Sequence, residues 1–105
     1  MSHKTCDVVI VGGGMVGLSL AHQLLEREIT RSITILDKEL ELGRHSSGRN
    51  SGVLHAGLYY KPGSLKAKVC VSGATRLKAW VEERNLPLNA CGKVIVPQKE
   101  HLDSQ

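Results

Sequence analysis

Two hydrophobic spacings succeed one another along the first third of the chain. Cys6-Asp7-Val8-Val9-Ile10-Val11 is a short, almost continuous aliphatic run. That pattern predicts an interior strand of a parallel sheet, with both faces covered. Gly12-Gly13-Gly14 ends it. From Met15 to Glu28 the spacing changes: Val16, Leu20 and Leu24, with Ala21 and Leu25, recur at helical intervals and no proline intervenes. This predicts a helix with one apolar face. Thr30-Arg31-Ser32 breaks it, and Ile33-Thr34-Ile35-Leu36 is a second β-branched run ending at Asp37. Strand, glycine turn, helix and strand make one β-α-β unit, for which a right-handed crossover is the default.

The period is then lost. From Glu39 to Gly63, glycines interleave with Ser46, Ser47, Asn50 and Ser51. A polar loop of that length between ordered elements is expected to be functional or mobile. Pro62-Gly63 closes it as a turn, and Ser64 is a good N-cap for a helix carrying Ala67, Cys70, Ala74, Leu77 and Val81 at steps of three and four. Asn85-Leu86-Pro87 stops that helix, and Cys91-Gly92-Lys93-Val94-Ile95-Val96 reads as a third strand ended by Pro97. Gln98 to Gln105 is polar and reads as a helix start.

Composition sharpens this picture in three ways. At 105 residues the chain is too short for a complete two-domain enzyme, yet it can be the first part of one. The formal charge of +4 is concentrated: between Leu42 and Val81 there is no acid, while Arg44, Arg49, Lys61, Lys66, Lys68, Arg76 and Lys78 all fall there. Such a block attracts phosphates, carboxylates, anionic lipid or nucleic acid unless it is simply a solvated helix face. The three cysteines, Cys6, Cys70 and Cys91, show no Cys-x-x-Cys spacing, which argues against a disulfide framework or a zinc site. Each lies among aliphatic residues and is expected to be a buried reduced thiol in a reducing compartment. No segment approaches the roughly 20 apolar residues that span a bilayer, and Met1 to Thr5 are too few for a leader before the first strand.

The strongest chemical signal is Gly12-Gly13-Gly14-Met15-Val16-Gly17, a G-x-G-x-x-G between a strand and a helix. Asp37 stands 20 residues beyond Gly17, at the end of the next strand. Gly12 allows the tight turn, Gly14 lets a pyrophosphate approach the backbone, and Gly17 lets the helix pack close on the sheet. The helix N-terminus offers free N–H groups and about half a positive charge to the diphosphate. Asp37 can accept hydrogen bonds from ribose hydroxyls. The loop from Gly43 to Tyr60, rich in hydroxyls, amides and small residues, suits an extended cofactor. A purely nicotinamide-binding unit does not need such a loop directly after the acid, so a flavin dinucleotide is preferred.

The run from Asp7 to Glu39, followed by Gly-Arg-His-Ser-Ser-Gly-Arg-Asn-Ser-Gly-Val-Leu-His-Ala-Gly-Leu-Tyr-Tyr-Lys-Pro-Gly-Ser-Leu-Lys-Ala, resembles the start of the L-2-hydroxyglutarate dehydrogenase/oxidase family. That family belongs to the D-amino-acid-oxidase-like group of FAD enzymes. The glycine motif is shared by many flavoproteins, whereas Arg49 to Lys66 is much more specific. The resemblance covers essentially the whole chain, but those enzymes are several hundred residues long, so the match is to their N-terminal part. It implies an α/β fold, the N-terminal part of a Rossmann-like FAD-binding domain: β-α-β, flavin loop, helix, and first strand of a substrate domain. The expected division is 1–89 for the FAD-binding region and 90–105 for the start of a truncated substrate domain.

The implied activity is FAD-dependent oxidation of L-2-hydroxyglutarate to 2-oxoglutarate, with electrons passed to a quinone or oxygen. By the same resemblance Gly12, Gly14 and Gly17 match the pyrophosphate motif and Asp37 the ribose acid. Lys38, Arg44, Ser47, Asn50 and Ser51 match positions that line FAD. His55 matches a histidine near the isoalloxazine, as general base or covalent tether, a structural histidine being the alternative. Tyr59, Tyr60 and Lys61 are candidates to face the substrate carboxylates, with plain packing as the alternative. The other readings are a different amino-acid, amine or glycerol-phosphate oxidoreductase of the same group, a non-catalytic dinucleotide-binding module, or a basic interaction domain. Nucleic acid is disfavoured, because the tyrosines are adjacent and no RNA-binding signature occurs. The expected location is the cytoplasm, with peripheral contact at the inner face of the cytoplasmic membrane through the basic block.

Overall fold

The computed structural model describes residues 3–96. It contains strand β1 (Val8–Val11), helix α1 (Met15–Glu26), strand β2 (Ile33–Leu36), a single 3-10 turn (Ser46–Gly48) and helix α2 (Leu65–Glu83). The chain falls into two compact units that divide between Val53 and Leu54. The α/β character expected from the alternating periods is present.

In the first unit β1 and β2 pair in parallel, in the register Val8↔Ile33 through Val11↔Leu36. A parallel pair needs a crossover, and α1 supplies it. Ile10 and Ala21 are the buried apolar residues of the described chain. The expectation that both faces of the first strand are covered is corrected here: Val9 and Val11 are exposed while Ile10 is buried. Within this unit α1 is the one helix packed on the strands, so it shields a single face. The helix also ends two residues before the Glu28 expected from its pattern. Glu28 adopts φ 53° and its N–H donates to Leu25 O, while Ile29 N–H donates to Leu24 O, both at 3.0 Å. These two bonds are a Schellman ending, built here without the glycine that usually marks it.

The second unit is organised by α2. The Lys61–Ser64 turn is closed by Ser64 N–H donating to Lys61 O at 3.1 Å, with Gly63 at φ 79°. A type II turn takes proline and then a residue of positive φ at these two central positions. Ser64 caps the helix, its Oγ accepting the Ala67 N–H at 3.2 Å. The stripe residues Ala67, Cys70, Ala74 and Val81 are the half-buried face of α2, while Leu77 is exposed. The helix ends at Asn85, φ 53°, in a second Schellman arrangement: Leu86 N–H reaches Val81 O and Asn85 N–H reaches Glu82 O. No helix among the described residues is long and apolar enough to cross a membrane.

Two further expectations are corrected. Cys91 to Val96 forms no strand, because a strand exists only through a ladder and the sheet of the described residues contains β1 and β2 alone. The helix start expected at Gln98 to Gln105 lies outside the described residues. None of the cysteines is fully buried: Cys6 and Cys70 are half-buried thiols and Cys91 is exposed.

Candidate functional site

The glycine turn is built by its own backbone and one acid. Gly12, at φ 109°, takes a conformation that side chains oppose, and its N–H donates to Leu36 O at 2.7 Å, tying the end of β1 to the end of β2. Gly13 N–H donates to Asp37 Oδ2 at 2.7 Å, and Glu39 N–H donates to Asp37 Oδ1 at 2.8 Å. Asp37 thus bridges the glycine turn to the chain leaving β2. Each of its oxygens retains a further acceptor position for a ribose hydroxyl. The Glu39 and Gly13 amides hold its carboxyl below the ordinary value of 3.8; desolvation opposes them, and the charges of His45 and Lys38 add smaller lowering effects. A carboxylate so held stays an acceptor throughout the physiological range.

Close packing explains the other two glycines of the motif. A Cβ on Gly14 would stand 2.9 Å from Ser47 Oγ. A Cβ on Gly17 would collide with Gly12 O and press on Ile10 Cγ2 at 3.1 Å. Gly17 is therefore where α1 meets the strand, and Gly14 is where the Ser47 loop meets the turn.

Ser47 makes a contact that the motif alone does not announce. Its Oγ accepts the Met15 N–H at 2.7 Å, across 32 residues of sequence. Gly14 is the N-cap and has no side chain to offer, so Ser47 caps α1 from the loop. Leu18 makes the first intrahelical bond, to Gly14 O at 3.0 Å, leaving the Val16 and Gly17 amides at the open end of the helix. A cleft of about 420 Å3 runs past this end, lined by Gly12, Gly14, Met15, Val16 and Gly17 with Ser46 and Ser47. A smaller hollow of about 70 Å3 joins Gly14 and Asp37 to Gly43, Arg44 and His45.

The residues fit a dinucleotide. The turn is bare of side chains where a diphosphate must approach, helix amides are free, and an ionised acceptor stands beside them. Gly12, Gly14 and Gly17 with the α1 N-terminus would hold the diphosphate, and Asp37 the ribose.

The remaining loop residues divide by partner. Asn50 Nδ2 donates to Ser46 O at 2.9 Å and Ser47 O at 3.1 Å, while its Oδ1 accepts Gly52 N–H at 2.8 Å. Its whole side chain shapes the loop that presents Ser47. Ser51 Oγ accepts Val53 N–H at 3.3 Å. Arg44 pairs with Glu41 at 3.1 Å, and His45 meets Glu39 at 3.1 Å. Lys38 is exposed and acts on Asp37 through its charge. Both ends of the acid-free stretch are partly neutralised from outside it, since Lys78 also reaches Glu82 at 4.0 Å.

A second cluster lies wholly within the unit of α2. Cys70 Sγ donates to His55 O at 3.3 Å, and Gly57, buried at φ 84°, packs against Cys70 and Val71. Lys93 Nζ lies 3.3 Å from His55 Nδ1 and 4.0 Å from the centroid of the Tyr59 ring. Tyr60 is covered by Lys66 at 4.5 Å, and Lys61 is exposed. The structure thus brings His55 and Tyr59 together through Lys93, a residue the sequence pattern did not single out. Lys93 sits in what read as a strand, and no local signal marks a contact 38 residues away.

Residues 7–105 match the family model described as FAD dependent oxidoreductase. The chain is 52% identical over 90 residues to a protein of Nematostella vectensis named L-2-hydroxyglutarate dehydrogenase, mitochondrial, covering 86% of the chain and 20% of that relative. It is 50% identical over 95 residues to the Homo sapiens protein of the same name, covering 90% and 20% respectively. Against L-2-hydroxyglutarate dehydrogenase of Indibacter alkaliphilus it is 46% identical over 94 residues, covering 90% and 24%. The chain therefore spans about a fifth to a quarter of the length of these curated relatives. It belongs to the FAD dependent oxidoreductase family, and the cofactor of that family is FAD.

Proposed function

We propose that this member of the FAD dependent oxidoreductase family contributes the dinucleotide-binding part of an L-2-hydroxyglutarate dehydrogenase. The observation that carries the reading is the joint between Asp37, Gly13 and the Ser47-capped α1, in a chain about half identical to relatives of that name. FAD, when bound, supplies the acceptor for the hydride that leaves the hydroxyl-bearing carbon. The chain's own part is to fix the diphosphate on helix amides and the ribose on Asp37, so that binding energy far from the reaction holds the cofactor in place. His55 is the residue proposed to meet the flavin or the substrate, as base or tether, and Tyr59, Tyr60 and Lys61 are proposed to face the substrate carboxylates. The electrons pass on to a quinone or to oxygen.

The test is spectroscopic. The full-length protein is purified, its visible bands at about 370 and 450 nm are recorded as typical flavin absorption, and L-2-hydroxyglutarate is added without oxygen. Bleaching of the longer-wavelength band by the L isomer and not by the D isomer is expected. A flavin that bleaches instead with an amino acid or glycerol phosphate would replace the substrate in this proposal. The His55→Ala protein is expected to lose turnover or flavin attachment, and unchanged turnover with flavin normally bound would remove His55 from the site. For localisation we propose the cytoplasm, with the basic block touching the inner membrane face. Membrane partition that ignores neutralisation of Lys66, Lys68 and Lys78 would count against it.

A further inference from the structure

We propose that Lys93 is a positioning residue that holds His55 as the neutral imidazole protonated on Nε2. An ammonium carries three donors and no acceptor. Its 3.3 Å approach to His55 Nδ1 therefore makes that nitrogen the acceptor and leaves the ring proton on Nε2. Three contacts make the arrangement specific. Cys70 Sγ fixes the His55 carbonyl at 3.3 Å, Gly57 packs the same loop onto α2, and the Tyr59 ring lies 4.0 Å behind the Lys93 ammonium. Backbone, ring nitrogen and cation are each held by a different neighbour, and no acid among the described residues forms an ion pair with Lys93.

The chemical consequence falls on Nε2. In this tautomer it offers an N–H, so His55 donates a hydrogen bond to an oxygen and does not accept a hydroxyl proton there. The ligand class it suits is a carboxylate, or the oxygen of a hydroxy acid turning into a carbonyl. This deepens the proposed function, because it rests on His55 facing the substrate or flavin, and it replaces the base role given to His55 above by that of a hydrogen-bond donor.

The experiment reads the tautomer directly. Full-length protein with its flavin is labelled with nitrogen-15 in histidine, and the His55 ring signals are assigned by their loss in His55→Gln. In the unsubstituted protein His55 is expected to show a bare Nδ1 and a protonated Nε2. Lys93→Met is expected to let the Nδ1-protonated form appear, Lys93→Arg to retain the original pattern, and Lys68→Met, the same charge change elsewhere in this unit, to leave it untouched. A His55 protonated on Nδ1 in the unsubstituted protein overturns the proposal without any variant needing to fold. So does a Lys93→Met protein whose His55 signals match the unsubstituted ones. Because the signals do not depend on turnover, a protein that fails to oxidise L-2-hydroxyglutarate refutes the proposed function while this result stands or falls by itself.

Discussion

Replacing Gly17 and Gly73 by alanine should move stability in opposite directions, although both glycines lie inside helices. At Gly73, in α2, a new Cβ meets nothing within 4 Å. The substitution should stabilise by about 0.5–1 kcal/mol, the usual gain on removing a helix-interior glycine. At Gly17 the same gain applies, but the Cβ runs into Gly12 O and sits 3.1 Å from Ile10 Cγ2 and 3.2 Å from Gly12 C. Two of these atoms are backbone at the glycine turn and cannot swing aside as a long side chain does. Overpacking of this kind costs about 1–3 kcal/mol. The helix term is common to both variants, so their difference isolates the clash at about 1–3 kcal/mol. Relief requires α1 to lift from β1 and the Gly12 carbonyl to turn. If that displacement must be reversed before flavin binds, the dissociation constant rises by roughly 5- to 150-fold. Urea unfolding of the flavin-free full-length protein gives the stability difference, and fluorescence quenching of added FAD gives the affinity. A Gly17→Ala protein as stable as Gly73→Ala, binding FAD as the unsubstituted protein does, would refute the assignment of Gly17 to the helix–turn contact.

Three more outcomes follow from single bonds. Ser64→Ala removes the acceptor of the Ala67 N–H and should destabilise by about 1 kcal/mol in urea, with Ser64→Asp retaining most of the cap. Ser47→Ala strips the Met15 amide of its partner; that bond is solvent-exposed, so about 0.5–1 kcal/mol is expected, together with weakened FAD binding that Ser47→Thr restores. Asp37 has its pKa lowered in the folded chain, so its contribution is fully present above the ordinary carboxylate value of 3.8 and is lost as pH falls below it. Titration of flavin retention against pH should show this acid limb in the unsubstituted protein and a shallower one in Asp37→Asn, and identical limbs would show that Asp37 does not hold the turn.

Legibility in this chain follows the distance over which a feature is decided. The Pro62-Gly63 turn and the Ser64 cap were readable because each rests on residues within a few positions of one another, and the β-α-β unit because each of its three elements carries its own local hydrophobic period. Glu28 shows where local signals stop: φ 53° there ends α1, but the residue carries none of the glycine chemistry that announces such an ending. The Cys91–Val96 run failed for a different reason. Its aliphatic content fits a strand, yet a strand needs a second chain segment at hydrogen-bonding distance, and composition does not supply one.

The same limit applies to the candidate site, and it separates two kinds of candidate residue. Asp37 was legible because a fixed count of residues brings the end of β2 back beside the glycine turn, so spacing stands in for geometry. Ser47 was legible only as a loop hydroxyl; its role as the cap of α1 depends on a loop folding back across 32 residues. Asn50, drawn by resemblance among residues that line a cofactor, spends its donors on the carbonyls of Ser46 and Ser47. Those bonds keep Ser47 in place, and if they are all that Asn50 contributes, Asn50→Ala should weaken FAD binding only as far as Ser47→Ala does. The double variant should then be no worse than either alone, since the two residues act through one bond to the Met15 amide. Additive losses in that cycle would mean that Asn50 reaches the cofactor itself.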